Sequence, residues 1–159
     1  MRYRVFAQHP DRGVDLVGLV RNGSRFFEAD IHIDRRLDQA ELPAPYGSAV
    51  HLGAQSRRRG WAGQFVLRAR PATAMDLAEA RAAEDRSGKW GMSQLAERCP
   101  SAWELEPEAG TPLAGELVVA ALLASIALGP ILPEDGSGLF GVRTAMQRAE
   151  RLLGKSLER

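Results

Sequence analysis

The chain has 159 residues, 45% hydrophobic and 26% charged, a composition that excludes a largely disordered polypeptide and leaves room for one domain with a genuine core. Its 21 basic and 20 acidic side chains nearly cancel, and only Lys89 and Lys155 are lysine, so the arginine excess reads as GC-rich bacterial coding and not as a functional sign. The single cysteine, Cys99, excludes an intrachain disulfide and a cysteine-based metal site.

The amino-terminal MRYRVFAQHPDRG holds no apolar run of signal-peptide length and the final KSLER no lipidation signal, so the expected compartment is the cytoplasm. Residues 1–70 read as strands. Tyr3, Val5 and Ala7 alternate with polar Arg2, Arg4 and Gln8, and the turn-like HPDRG at 9–13 leads into VDLVGLV, a first predicted hairpin. Asn22-Gly23 then supplies the positive φ angles of a tight turn between 14–20 and 26–34, a second predicted hairpin. In the next strand, Phe27, Ala29, Ile31 and Ile33 point one way, and Glu28, Asp30, His32 and Asp34 the other.

Residues 37–42 are expected as a short helical turn before the loop LPAPYG, where Pro43 and Pro45 exclude a central strand. Residues 48–53 and 64–70 read as two more strands joined by an arginine-rich loop. From Thr73 the period changes. Thr73 and Asp76 stand three apart as in a capping box, ahead of an Ala/Leu/Glu-rich helix to Arg86. Met92, Leu95, Ala96 and Cys99 mark one face of a short helix ended by Pro100, and SAWELEPEAG comes after it as a connector.

Residues 113–128, LAGELVVAALLASIAL, carry from Leu117 onward only one polar side chain, Ser125, and a helix apolar on every side must be buried. Thr111 is its expected N-cap, Pro112 its first residue and Gly129-Pro130 its stop. The segment, with Glu116 inside it, is shorter than the roughly 20 apolar residues that span a bilayer, so a core helix is expected. A loop over 131–138 precedes a last helix with Val142, Met146, Ala149 and Leu153 inside and Arg143, Gln147, Glu150 and Arg151 outside. The expectation is a single α+β domain over 1–159. An antiparallel β-meander of about five strands in the N-terminal half packs one face against three to four helices in the C-terminal half.

Charge is segregated along this chain. Residues 42–75 hold five arginines and no acid, whereas residues 99–142 hold six acids and no base. Arg57, Arg58 and Arg59 share a loop with Trp61, and Arg68 and Arg70 share a strand face, a pattern that suits a partner protein, a phosphate backbone with a stacking indole, or acids of the same molecule. Asp30, His32 and Asp34 carry metal-ligating side chains on one strand face, but residues two apart on a strand lie roughly 6–7 Å apart, too far for all three to close on one ion. His51 from a neighbouring strand would have to contribute.

Gly136 to Gly141 matches G-x-G-x-x-G, but without the preceding strand of a βαβ unit and beside Glu134 and Asp135 it reads as a loop and helix start. Cys99 would be a nucleophile only if His9, His32 or His51 approached it, and its apolar stripe favours packing. Trp90, Trp103 and Phe140 suit either core or interface. No G-x-S-x-G, H-E-x-x-H or Walker motif is present. The residues therefore point to a non-catalytic interaction module, an accessory subunit of a bacterial multiprotein assembly. It would use no cofactor and no membrane, and would pair with another protein or its own oligomer. Nucleic-acid binding through Arg57 to Arg70 is the alternative, and a small enzyme using Cys99 or the Asp30/His32/Asp34 face a weaker one.

Overall fold

The structure, a computed structural model, describes residues 1–8, 13–34 and 44–157. The helical turn expected over 37–42, most of the turn over 9–13, and His9 lie outside the described residues. The described chain runs β1 (Tyr3–Ala7), β2 (Gly13–Val14), α1 (Leu16–Phe26), β3 (Asp30–Ile33), β4 (Ala44–Pro45), β5 (Val50–Ser56), β6 (Trp61–Pro71) and α2 (Ala74–Ser87). It continues with α3 (Met92–Glu97), β7 (Ser101–Pro107), α4 (Leu113–Ala127), β8 (Ile131–Pro133) and α5 (Val142–Leu157). The class is α+β, as expected.

Its sheet has six antiparallel strands in the order β3, β5, β6, β7, β1, β8, while β2 and β4 pair separately. Strand β1 takes both its neighbours from the second half of the chain. It lies between β7 and β8, so the two halves of the sequence interleave in one sheet. Val5, Phe6 and Ala7 are all buried, because a strand in this position is covered on both faces.

Both hairpins expected between Ala7 and Asp34 are overturned. Residues 16–26 form α1, and Asn22-Gly23 lies within it. Leu16, Leu19 and Gly23 recur at helical spacing and are buried, while Asp15 caps the helix by accepting from the Gly18 N–H at 2.9 Å. Gly23 serves close approach and not a turn, since a Cβ there would stand 2.9 Å from the Ala29 carbonyl oxygen and 3.2 Å from Leu122. The strand expected over 26–34 shortens to β3, where Ile31 is buried and Asp30 and His32 are exposed, as the alternation predicts.

The β5–β6 hairpin matches the two strands read on either side of the arginines. The connector 101–110 does not survive as one. Most of it is β7, a central strand with Trp103 and Leu105 fully buried and Glu104 on the opposite face. Part of the expected loop over 131–138 is edge strand β8.

Helix α4 is buried along nearly its whole length, including Leu117 through Ala124. Its boundaries sit one residue inside those expected. Pro112 occupies the N-cap position while the Thr111 hydroxyl bonds the Gln64 backbone, and Leu128, at φ 58, makes the left-handed stop in place of Gly129. Gly129 instead lets the chain press on β1, because a Cβ there would lie 1.8 Å from the Phe6 carbonyl oxygen. Buried Glu116 accepts from the Met1 amino nitrogen at 2.7 Å.

The helices occupy both faces of the sheet and not one. Tyr3, Val5, Leu67, Trp103 and Leu105 share a core with α4, α1 and α5. On the opposite face Phe6 and Leu132 join Ala80 and Ala83 of α2, Ala96 of α3, and Cys99 in a second cluster. This smaller layer covers only one end of that face.

Candidate functional site: the open face of the sheet

The five arginines of the basic stretch are not brought together. Arg57, Arg58 and Arg59 occupy the β5–β6 turn, whereas Arg68 and Arg70 lie toward the other end of β6, roughly 30 Å away along the strand. Arg58 bonds Glu28 at 2.9 Å, and Arg59 makes a two-pronged pair with Glu150 of α5 at 2.8 Å for each bond. Trp61 is 6% exposed and its ring packs on Gly115, so the indole belongs to the core and cannot stack on a base. Arg57 and Arg68 remain exposed and form no ion pair with any described residue.

Arg70 belongs to a network that the sequence disclosed only as a capping box. Asp76 of α2 is 2% exposed and accepts from both terminal nitrogens of Arg70, at 2.6 and 2.7 Å, and from Arg4 at 2.9 Å. The Thr73 backbone N–H and hydroxyl donate to the same carboxylate at 2.7 and 3.0 Å. Burial opposes ionisation of Asp76, but the Arg70, Thr73 and Arg4 hydrogen bonds outweigh it and hold its carboxyl well below the usual range. Arg4 also bonds Glu79, and Arg70 bonds Glu104 at 2.8 Å, so the cluster ties α2 to β1, β6 and β7. Its saturation marks it as architecture.

Beyond this cluster the same sheet face is open. Strand register places His32 of β3 beside Gly53 and His51 of β5 beside Val66. Gln64, Val66 and Arg68 occupy alternate positions of β6, with Glu104 and Glu106 across from them on β7. His32, His51, Gln64, Arg68 and Glu104 are exposed and Val66 half-buried. Two shallow depressions mark the surface. One, of about 330 Å³, is lined by His32, Asp34, His51, Gln55 and Gln64, and the other, of about 360 Å³, by Arg2, Val66, Arg68, Glu106 and Glu134.

Asp30, His32 and Asp34 do share this face, but no group of three or more histidine, cysteine or acidic residues suited to a metal occurs among the described residues. An open face was expected on the Asp30–Asp34 strand, and its extension across β5, β6 and β7 was missed. Its signal was the strict alternation of 50–56 and 61–70, which leaves every second side chain without an apolar partner.

Cys99 is 5% exposed, its thiol directed at the Leu95 carbonyl, and burial pushes it up to about 11, so it stays protonated at neutral pH. Its cluster neighbours are apolar. The glycine motif forms no phosphate cradle. Phe140 within it pairs with Ile131, Leu139 is buried, and Arg86 donates to the Gly136 carbonyl. Trp103 is core, while Trp90 is 76% exposed on the α2–α3 connection. No described helix is long and apolar enough to cross a membrane. No family model matches this chain, and neither a curated protein nor a solved structure is found to be similar to it.

Proposed function

We propose that this chain is a non-catalytic interaction module, a cytoplasmic accessory subunit of a bacterial multiprotein assembly, and that its partner protein lies across the open sheet face. The observation that carries this reading is the surface running from His32 through Gln64 and the half-buried Val66 to Arg68, on a sheet face of which the α2–α3 layer covers only one end. Its mixed charge, with Arg68 beside Glu104 and Glu106, suits a protein surface better than a polyanion. Nucleic-acid binding has less support, because Arg58, Arg59 and Arg70 are engaged within the molecule and Trp61 is buried.

Photo-crosslinking residues placed at Gln64 and Arg68 test the reading. They are expected to trap the same partner protein in cells, and a probe at Arg143 on α5 to trap none of it. Equal adducts from all three sites, or none from the sheet face, would refute it. Recovery of RNA or DNA adducts in place of protein would favour the alternative.

A further inference from the structure

On the other side of the molecule, α4, α5, the β8–α5 connection and the start of β1 line an open cleft of about 310 Å³ with features that the interaction reading does not use. Its apolar lining includes Leu117, Phe140 and Leu152. Beside the Met1 amino group, which Glu116 holds, two cations line it, Arg148 and Arg151, and neither forms an ion pair with a described residue. Glu150, the acid beside them on α5, is already taken by Arg59. Arg148 lies over the Phe140 ring, 4.3 Å from its centre, an arrangement that fixes the guanidinium plane while leaving its N–H groups unused.

The one acid lining the cleft, Asp135, accepts from the Ser137 N–H at 3.0 Å, and that bond and, less, the charge of Arg148 hold its carboxyl below the usual range. Tyr3 completes the site. The residue is 2% exposed and lines the cleft, and its hydroxyl forms no hydrogen bond with any described residue. Burial, then the Glu116 and Asp135 carboxylates, push its pKa up, so the hydroxyl keeps its proton and can donate.

We propose that this cleft binds a free apolar carboxylate, its hydrocarbon on Leu117, Phe140 and Leu152 and its carboxylate against Arg148, Arg151 and the Tyr3 hydroxyl. The volume lies at the lower end of the roughly 300–1,000 Å³ typical of small-molecule sites, which suits a short hydrocarbon chain or one ring. Fixed donors around an apolar floor select for a ligand with one anionic end and no other charge. The proposal is independent of the partner surface, which lies across the sheet from it.

Amide chemical shifts of the full chain, titrated with octanoate below its micelle concentration, test the site. Saturable shifts are expected at Tyr3, Leu117, Phe140 and Leu152, and neither octanol nor octylammonium should reproduce them. Arg151→Gln, an exposed change, should weaken octanoate binding roughly tenfold. Tyr3→Phe should weaken it severalfold with the fold intact, since the lost hydroxyl has no described protein partner. Arg143→Gln, on the outer side of α5, serves as a control and should change nothing. No saturable shift with octanoate, equal binding of the alcohol or the amine, or unchanged affinity in both Arg151→Gln and Tyr3→Phe would overturn the proposal.

Discussion

Asp76 is the residue on which most charge converges. It is the buried acceptor that Arg4 and Arg70 share, and Asp76→Ala would leave Arg4 with Glu79 alone and Arg70 with Glu104 alone. Losing these charge-assisted hydrogen bonds costs about 2 kcal/mol, and urea unfolding at pH 7 measures it. The sign of its pH dependence follows from the lowered pKa. A carboxyl whose folded pKa lies below its unfolded value contributes stability that is complete above the unfolded value and fades as pH falls toward the folded one. The gap between the parent protein and Asp76→Asn is therefore expected to stay constant from about pH 5 to 8 and to narrow below about pH 4. Cys99 offers a simpler check. Raised to about 11 and buried, it should resist alkylation at pH 8 in the native protein and react once the chain is unfolded.

Among the helices, α1 and α4 differ in how strongly their own residues dictate them. Leu122→Asp would put a carboxylate on α4 where exposure is 0%, at a cost of about 4 kcal/mol unless it is protonated, visible as a lowered denaturation midpoint. The unbroken apolar run made that burial legible. Helix α1 was not legible, because Val14, Leu16 and Val20 fit a period of 2 while Leu16, Leu19 and Gly23 fit 3.6 over so short a stretch, and Asn22-Gly23 offered a turn. Burying Leu16 and Leu19 is worth roughly 1.5–3 kcal/mol each, more than the local turn preference, so packing against β3 and α4 overrules it. Asp15→Ala is expected to cost about 1 kcal/mol and to speed amide exchange at Gly18, whereas a hairpin over 14–34 would be indifferent to that change. In β7 the alternation Trp103, Glu104, Leu105, Glu106 was present but framed by prolines. Its acids are tolerated in a central strand because Arg70 and Arg2 meet them there.

For the whole molecule, one sheet built from both halves of the chain should unfold as one. Far-ultraviolet circular dichroism and tryptophan fluorescence are expected to give coincident urea transitions, with Trp61 and Trp103 reporting the core. Two separated transitions would mean that the α2–α3 layer melts independently of the main core. The parts legible from sequence were those decided within a few residues of one another: the Thr73–Asp76 capping box, the β5–β6 alternation, the inner face of α5 and the apolar run of α4. The pairing of Arg58 and Arg59 with Glu28 and Glu150, the burial of Trp61 against Gly115 and the opening of the His32–Arg68 face were decided only in three dimensions. Composition and periodicity therefore settled the α+β class and the elements with a long regular pattern, because backbone propensity and side-chain alternation are local. Which charges stay free and which face stays uncovered depended on contacts between residues far apart in the chain, and only the assembled sheet brings those residues together.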